Sequence, residues 1–287
     1  MNFLDILDKR FEKYEEYKDI KKGKGIRGKI ITIINPNAKK LAAIVEGIHL
    51  ASLLHDDVID EADTRRGVKS INAKYGDFTA VMLGDIIYST CFYDLVDFDK
   101  EVAKIISNAV RLLSEGELED VKLSKNINLD KDKYMQMIYK KTASLIEASC
   151  KASAFLSNYD VEKFGTYGRN IGIAFQIIDD LLDITQDSKT IGKPSMHDFY
   201  EGKTTLPFIY LFEKVNDKEK EKLISLYKKK LSNDEIEWIR ELMKKYGVLE
   251  KCYFEAKNLV EEAKDAIKDY KITKLENIAD KIVERKY

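Results

Sequence analysis

Proline and glycine are scarce in this chain, which has 3 prolines and 14 glycines in 287 residues. Ordinary usage is about 5 % and 7 %, so a turn-rich β-sandwich, a low-complexity chain and collagen are excluded and long helices are favoured. Cysteine is scarce too, with only Cys91, Cys150 and Cys252. The number is odd, and no two of them form a C-x-x-C pair. That excludes a disulfide framework and a cysteine zinc site, and it suits a reducing cytosol.

The chain has neither an excess of charge of one sign nor a long hydrophobic run. Lys and Arg total 49 and Asp and Glu total 50, for a net charge of −1, so no overall basic field attracts nucleic acid. No uncharged apolar run approaches the ~18–20 residues that span a membrane, and the start, MNFLDILDKRFEKYEE, becomes charged too early for a secretion signal. We therefore expect a soluble, cytoplasmic protein with no nucleic-acid partner and no membrane span.

What the chain does have is helical periodicity. Apolar residues recur at helical spacing almost everywhere, and no strand-like alternation, linker or repeat interrupts them. Asn35-Pro36 predicts the start of a long helix that runs towards Asp60, Asn128 predicts a second cap, and Ser232 with Glu235 predicts a capping box. The pattern predicts one compact all-α domain over residues 1–287.

Two segments depart from the pattern of a surface helix. Each has acids at positions i, i+1 and i+4 at the end of an apolar helical run, so three carboxylates crowd one side of the last turn. They repel each other and oppose the helix dipole, which is costly unless a cation is bound. Oxygen-only ligands favour magnesium, with phosphate oxygens and water completing its octahedron. The acids are Asp56, Asp57 and Asp60 in the first segment and Asp179, Asp180 and Asp183 in the second.

Basic residues stand near both acidic segments in the sequence. Arg suits forked recognition of phosphate oxygens, and Lys supplies a compact charge. Acids for a metal together with bases for phosphate predict a metal–diphosphate substrate. The basic residues are Lys24, Arg27, Arg65, Arg66, Lys193 and Lys203.

With these motifs the chain resembles the trans-isoprenyl diphosphate synthases, also called polyprenyl synthetases. HDDVIDEADTRRG is similar to the first aspartate-rich motif of that family, and FQIIDDLLDITQD is similar to the second, followed by GKP and EGKTTLP. The resemblance runs from Lys24 to about Pro207 by motif and onward by helical character. It implies a single all-α bundle around a deep apolar cavity, the isoprenoid synthase fold, working as a homodimer.

The resemblance implies a transferase. Its reaction is the magnesium-dependent, head-to-tail condensation of isopentenyl diphosphate with an allylic diphosphate, giving a longer trans-polyprenyl diphosphate and diphosphate. Up to three magnesium ions and the cations neutralise the leaving diphosphate, so that the allylic C–O bond ionises. The isopentenyl double bond then attacks the carbocation, and the released diphosphate is the expected base.

The resemblance also implies residue roles, each through a motif. Asp56, Asp57 and Asp60 would hold two magnesium ions, and Asp179 the third, supported by Asp180 and Asp183. Lys24, Arg27, His49 and Arg66 would bind the diphosphate of isopentenyl diphosphate, whereas Arg65, Lys141, Lys193 and Lys203 would bind the allylic diphosphate. Thr142 and Gln176 would line the reacting carbons. Lys22 stands where the family usually has glycine, which affects the expected shape of that loop.

Product length is expected to depend on Ala51 and Ser52. They lie five and four residues before Asp56, about 6–7.5 Å below the metals at the helical rise. In the family a Phe or Tyr at these positions blocks the growing tail. Two small residues here predict an open upper floor and products of twenty carbons or more, unless they serve only close helix packing and the floor lies on another helix.

Several alternatives are weaker. A farnesyl diphosphate synthase with a shorter cavity would have the same motifs and differ only in the residues that form the cavity floor. A terpene cyclase needs neither a second DDxxD motif nor a second diphosphate pocket. An inactive regulatory subunit would have lost one acidic cluster. A purely structural bundle would not explain the basic residues near the acidic motifs. Glu46-x-x-His49 matches half of a di-iron motif, but that class needs two such motifs and two further glutamates.

Overall fold

The protein is described by a computed structural model that covers residues 1–186 and 195–284. The prediction of an all-α fold is confirmed, since helices account for almost all regular structure in these ranges. The helices in the first half are α1 (Phe3–Phe11), α2 (Glu15–Lys18), α3 (Ile26–Ile34), α4 (Lys39–Ile59), α5 (Ile71–Tyr75), α6 (Asp77–Leu95), α7 (Lys100–Leu123) and α8 (Lys131–Ile138). The others are α9 (Ser144–Leu156), α10 (Val161–Thr185), α11 (His197–Glu201), α12 (Leu206–Lys214), α13 (Asp217–Leu226), α14 (Asn233–Lys245), α15 (Val248–Ile267) and α16 (Thr273–Val283).

Two short irregular elements matter for the site. A π turn, Tyr139–Ala143, joins α8 to α9 without a break. A small hairpin pairs β1 (Thr64–Arg65) with β2 (Val68–Lys69), and these are the strands of the described residues. Its two connecting residues, Arg66 and Gly67, both have positive φ, 53° and 75°, as the tightest hairpin turns require.

The chain divides into two compact units, and neither is a continuous stretch of sequence. The first unit comprises Met1–Arg111 and Leu145–Gly168, and the second comprises Leu112–Ser144 and Arg169–Tyr287. The chain passes from one unit to the other three times. The prediction of a single domain over residues 1–287 stays a prediction, as does that of a deep apolar cavity.

The core of the first unit is built on α4. Leu41, Val45 and Ile48 on this helix are completely buried, and α4 packs against α1, α3 and α6. Helix α6 meets it with Ile87 and Cys91 at i and i+4, the spacing that keeps side chains on one helix face. The first acidic segment therefore lies at the end of a helix held on several sides.

The core of the second unit combines α10 with the C-terminal helices. Ile177, Ile178 and Leu181 on α10 are completely buried. Helix α15 packs against α12, α14 and α16 with small residues such as Ala256 and Ala263 fully buried. The second acidic segment is thus also held at the end of a packed helix.

Of the three predicted caps, one is confirmed and two are wrong. The Ser232 side chain accepts from the backbone amide of Glu235, and the Glu235 side chain accepts from the backbone amide of Ser232, which completes the capping box. Asn35 forms a turn instead, because its carbonyl accepts from Ala38 and α4 begins only at Lys39. Asn128 accepts from the amide of Asp130, and Asp130 itself caps α8. Asn, Asp and Ser all favour turns as well as caps, so composition alone does not separate the two uses.

Cys91, Cys150 and Cys252 are free and buried. Among the described residues, no helix combines the length and apolar character that crossing a bilayer needs.

Candidate active site

The first acidic motif ends α4, and the structure separates its members. Asp56 and Asp60, one turn apart, are half-buried and exposed respectively, whereas Asp57 is only 3 % exposed. The carboxylate of Asp57 accepts from Nε of Arg65 at 2.6 Å. Its backbone carbonyl accepts from the side chain of Asn72 at 3.1 Å. Asp57 therefore ties the end of α4 to the hairpin that carries Arg65.

The hairpin fixes Arg66 through reciprocal backbone contacts. The guanidinium of Arg66 donates to the carbonyl of Lys21 at 2.8 Å, and the ammonium of Lys21 donates to the carbonyl of Arg66 at 2.9 Å. Gly23 permits this approach, since a Cβ at that position would lie 2.7 Å from a guanidinium nitrogen. The glycine-bearing segment before α3 is thus held against Arg66, while Lys24 within it is exposed.

His49 sits among the arginines of the first unit. Burial and then the charges of Arg27, Arg66 and Arg65 lower the pKa of His49 well below its ordinary value. The imidazole is therefore neutral at pH 7 and offers an N–H donor rather than a charge. The arginines carry the positive potential that an anionic ligand would meet there.

Glu46, half of the Glu46-x-x-His49 pattern, has a structural use. Its Oε1 accepts from the amide of Gly28 at 2.7 Å, close to the start of α3, where the N-cap Gly25 has no side chain to offer. Its charge also opposes the lowering of the pKa of Arg27 that burial causes. Nε of Arg27 is a buried donor with no hydrogen-bond partner, which is what a missing anionic ligand would leave.

Ala51 and Ser52 are both buried on α4, 0 % and 3 % exposed. Ser52 donates to the carbonyl of His49 at 2.9 Å, and its hydroxyl also interacts with the hydroxyl of Tyr88 on α6. Ser52 therefore contacts a large aromatic residue on the neighbouring helix. Sequence reasoning did not identify Tyr88, because nothing in the local pattern of α6 marks it.

The second acidic motif, in α10, repeats the division seen in the first. Asp179 is exposed, whereas Asp180 is 2 % exposed. Burial, and then the charge of Asp198, raises the pKa of Asp180 well above its ordinary value. Asp183 accepts from the amides of His197 and Asp198 at 3.2 and 3.3 Å, so it anchors the start of α11. Burial and Asp198 raise the pKa of Asp183 to about 8.

The π turn positions Lys141 and Thr142. Two glycines allow other helices to approach it closely: a Cβ at Gly116 of α7 would lie 2.4 Å from the amide nitrogen of Lys141, and one at Gly172 of α10 would lie 2.6 Å from Cα of Ala143. A π turn within an α-helix often marks a functional site. Here it displaces both side chains from the register that a regular helix would impose.

The predicted lysines of the second unit already have carboxylate partners. Lys141 lies 2.6 Å from Asp120 and 2.8 Å from Glu117, two acids on α7 that are nearly buried. Lys203 lies 2.7 Å from Glu201. Glu117 and Asp120 were missed by sequence reasoning because they lie on a different helix from Lys141, whereas Glu201 lies only two residues before Lys203 and was not singled out.

One cavity of about 100 Å³ unites most of the predicted residues of the second unit. Lys141, Thr142, Gln176, Asp180 and Lys203 all line it, although they come from three separate stretches of sequence. The other lining residues include three ionisable side chains that were not predicted: Asp120, Tyr134 and Asp198. Only Asp198 carries a usable sequence signal, since it is an acid five residues before Lys203 in the HDFYEGK segment.

In the first unit the structure brings Arg27, His49, Arg65, Arg66 and Asp57 into mutual electrostatic contact. Asp57, Arg65 and Arg66 also line a smaller cavity of about 20 Å³. Lys193 lies outside the described residues.

The donor set fits magnesium held jointly with a phosphate ligand. The acids of both motifs offer only carboxylate oxygens, which are hard ligands. Yet among residues 1–186 and 195–284, no group of three or more ligating side chains converges tightly enough to hold a metal by itself. Magnesium usually binds through one or two carboxylates plus substrate phosphates and water. The more accessible acids of each motif suit that arrangement: half-buried Asp56 and exposed Asp60 in the first, and exposed Asp179 in the second.

Comparison with known proteins assigns the family. The family model for polyprenyl synthetase matches residues 9–243. The crystal structure of octaprenyl pyrophosphate synthase from Helicobacter pylori superimposes with a TM-score of 0.92 at 42 % identity, covering 99 % of each chain. A prenyl transferase of Cyanidium caldarium is 37 % identical over 241 residues, 82 % of this chain and 73 % of that protein. A short chain isoprenyl diphosphate synthase of Methanothermobacter thermautotrophicus is 33 % identical over 265 residues, 88 % of this chain and 81 % of its own. The chain therefore belongs to the polyprenyl synthetase family and is a prenyltransferase with the all-α isoprenoid synthase fold.

Proposed function

We propose that this prenyltransferase condenses isopentenyl diphosphate head-to-tail with an allylic diphosphate, releasing diphosphate and a trans-polyprenyl diphosphate of twenty carbons or more. The observation that carries the proposal is the cavity of the second unit. It gathers two lysines for phosphate, an acid of the second DDxxD motif, and the Thr142 and Gln176 pair around one space. A terpene cyclase or a purely structural bundle does not require this combination.

The residues of the second unit act on the allylic substrate. Lys141 and Lys203 bind its diphosphate, and the motif resemblance gives Lys193 and Arg65 the same role. When the allylic C–O bond breaks, the electron pair leaves with the diphosphate, and these cations stabilise the charge that develops on it. Thr142 and Gln176 present polar oxygens to the carbocation. Bound magnesium ions, which the acids of both DDxxD motifs would hold, supply Lewis-acid stabilisation of the leaving group.

The residues of the first unit act on isopentenyl diphosphate. Arg27, His49 and Arg66, with Lys24, bind its diphosphate and orient its double bond for attack on the carbocation. The attack forms the new C–C bond, and a proton is then lost to the released diphosphate. The unpartnered Nε of Arg27 and the neutral imidazole of His49 support this assignment, because both are ready to donate to phosphate oxygens.

The first test is product analysis. The protein is incubated with magnesium and isopentenyl diphosphate and, in separate tubes, with five-, ten- and fifteen-carbon allylic primers, and the dephosphorylated products are sized by mass. A product ladder of twenty carbons or more is expected. Products that stop at fifteen carbons would favour a farnesyl diphosphate synthase, and a cyclic hydrocarbon without consumption of isopentenyl diphosphate would contradict the proposal.

Adjacent lysines provide a matched control for the binding site. Lys140 and Lys141 both lie in the π turn and both pair with acids of α7, but only Lys141 lines the cavity. We expect Lys141→Gln to raise the KM for the allylic diphosphate about tenfold or more, the size of a lost charge-assisted hydrogen bond. Lys140→Gln should leave it within about twofold. Equal effects of the two substitutions would argue against this use of Lys141.

Product length is proposed to depend on the floor at Ala51 and Ser52. The likeness to an octaprenyl pyrophosphate synthase favours a long product. Ala51→Phe should shorten the products by placing a ring in the path of the tail, while Tyr88→Ala should leave them unchanged or lengthen them. Chain lengths that do not respond to Ala51→Phe in a correctly folded variant would assign these residues to helix packing alone.

We also propose that the protein is a homodimer that uses the outer face of α6. Phe78 and Tyr93 are 79 % and 75 % exposed, and Val96 just beyond the helix is 78 % exposed, an apolar surface typical of an interaction site. Phe78→Glu should convert a dimer into a monomer in sedimentation velocity. Phe254→Glu, at an exposed position of α15, is the control. A monomeric wild-type protein at micromolar concentration would contradict the proposal.

A further inference from the structure

Tyr134 on α8 is a buried tyrosine to which the proposed function gives no role. Its side chain is 2 % exposed, and its hydroxyl donates to Oδ2 of Asp180. The hydroxyl is therefore the donor of this contact and Asp180 the acceptor.

Asp180 is the middle of a longer hydrogen-bonded chain. On its other oxygen, Oδ1, it accepts from Nε2 of Gln176 at 3.0 Å. The carbonyl oxygen of Gln176 in turn accepts from the hydroxyl of Thr142 at 2.9 Å. Four side chains from α8, the π turn and α10 are thus linked in sequence, and all four line the same cavity.

The direction of donation along this chain follows from the chemistry of its members. Gln176 turns its amide nitrogen, which only donates, towards Oδ1 of Asp180 and its carbonyl oxygen, which only accepts, towards the hydroxyl of Thr142. The hydroxyl hydrogen of Thr142 is then used in the bond to Gln176, and its oxygen presents only lone pairs to the remaining space. Lone pairs held in this orientation stabilise positive charge without having to reorganise during the reaction.

We propose that Tyr134 is a positioning residue for prenyl transfer. It holds the carboxylate of Asp180 in place and, through it, sets the orientation of the Gln176 amide and the Thr142 hydroxyl. The proposal rests on the proposed function, which places Thr142 and Gln176 beside the reacting carbons. Without the tyrosine hydroxyl, Oδ2 of Asp180 loses a donor in a site that water barely reaches, and the carboxylate is free to rotate.

The test is Tyr134→Phe in the full chain, which removes one oxygen and keeps the ring. We expect kcat to fall about tenfold to a hundredfold, the range for a buried polar group that loses its hydrogen-bond partner. The KM for the allylic diphosphate should stay within about twofold, because the lysines that bind it are untouched. Calorimetric binding of inorganic diphosphate in the presence of magnesium should likewise remain within about twofold of wild type.

Tyr17→Phe is the matched control. Tyr17 is also 2 % exposed, and its hydroxyl also donates to an aspartate, Asp8, at 2.9 Å. The two variants should lose similar stability, but Tyr17→Phe should keep kcat within about twofold. Equal values of kcat for both variants would mean that Tyr134 is only structural.

A double-mutant cycle with Thr142→Val tests transmission along the chain. If Tyr134 acts through Asp180 and Gln176, Thr142→Val should lower kcat less in the Tyr134→Phe background than in wild type. Independent effects on kcat, or a loss that falls on diphosphate affinity instead, would overturn the inference and leave the proposed function standing. A wild-type protein without condensation activity would contradict both the proposed function and this inference.

Discussion

At the residue scale, the two DDxxD motifs contain acids of the same type in different environments. The second acid of each motif, Asp57 and Asp180, is buried and held by a side chain of its own unit. The first acid of each, Asp56 and Asp179, is more accessible. Successive residues on a helix are 100° apart, which explains why the second acid points away from the first. We infer a division of roles, in which the second acid positions its neighbours and the first binds metal.

The first motif allows this division to be measured. Asp57→Asn should lower the free energy of unfolding by about 1.5–3 kcal/mol, because it removes the charge that accepts the Arg65 hydrogen bond. Asp56→Asn should change it by less than about 0.5 kcal/mol while abolishing most of the turnover. Urea denaturation and steady-state rates of both variants check the prediction. An Asp56→Asn variant that is both stable and fully active would exclude Asp56 as a metal ligand.

Glu201 provides a prediction about pH. Burial opposes its ionisation, but the hydrogen bond from His197 and the charge of Lys203 together lower the pKa of Glu201 to about 2. A carboxyl whose pKa is lower in the folded state contributes stability that is present above its unfolded pKa of about 4.3 and is lost as the pH falls towards 2. The difference in free energy of unfolding between wild type and Glu201→Gln should therefore shrink from pH 5 to pH 3. A difference that is constant over this range would contradict the assigned pKa.

At the scale of the elements, the π turn is the feature that sequence periodicity does not reveal. Residues 131–156 show one continuous helical pattern, and the apolar positions alone predict a regular helix. The close approach of α7 at Gly116 and of α10 at Gly172 identifies the turn as part of the packing rather than an isolated irregularity.

Gly116→Ala tests this packing. Its Cβ would meet backbone atoms of Lys140 and Lys141 at 2.4–2.8 Å, so the turn must shift. We expect a loss of about 1–3 kcal/mol, typical of overpacking, together with a raised KM for the allylic diphosphate. Gly165→Ala is the control, because its Cβ would meet only the flexible side chain of Lys151. Similar losses in both variants would show that the π turn does not depend on this contact.

At the scale of the whole molecule, the two compact units raise the question of whether they fold separately. Because the chain passes between them three times, neither unit is a contiguous segment that could be excised. We propose a single folding domain over residues 1–287 and expect one cooperative thermal transition in calorimetry, with equal calorimetric and van't Hoff enthalpies. Two resolved transitions would contradict the single-domain prediction.

Much of the site was predictable because its signals are local. Acids at i, i+1 and i+4, the Lys141-Thr142 pair and the EGKTTLP segment are short patterns that can be matched without knowing the fold. The partners of these residues were not predictable. Tyr134 and Asp180 are 46 residues apart, and Lys141 and Asp120 are 21 apart, so no local spacing connects them.

The sequence by itself determined the helical character, the absence of a disulfide framework, the family and the residue types available for metal and phosphate. These follow from composition, periodicity and short motifs, which depend on neighbours along the chain. Only the tertiary structure decided which acid of each motif is buried, which carboxylates hold Lys141, and how Gln176 is oriented. The physical reason is that burial and hydrogen-bond direction depend on side chains that packing brings together from distant parts of the sequence.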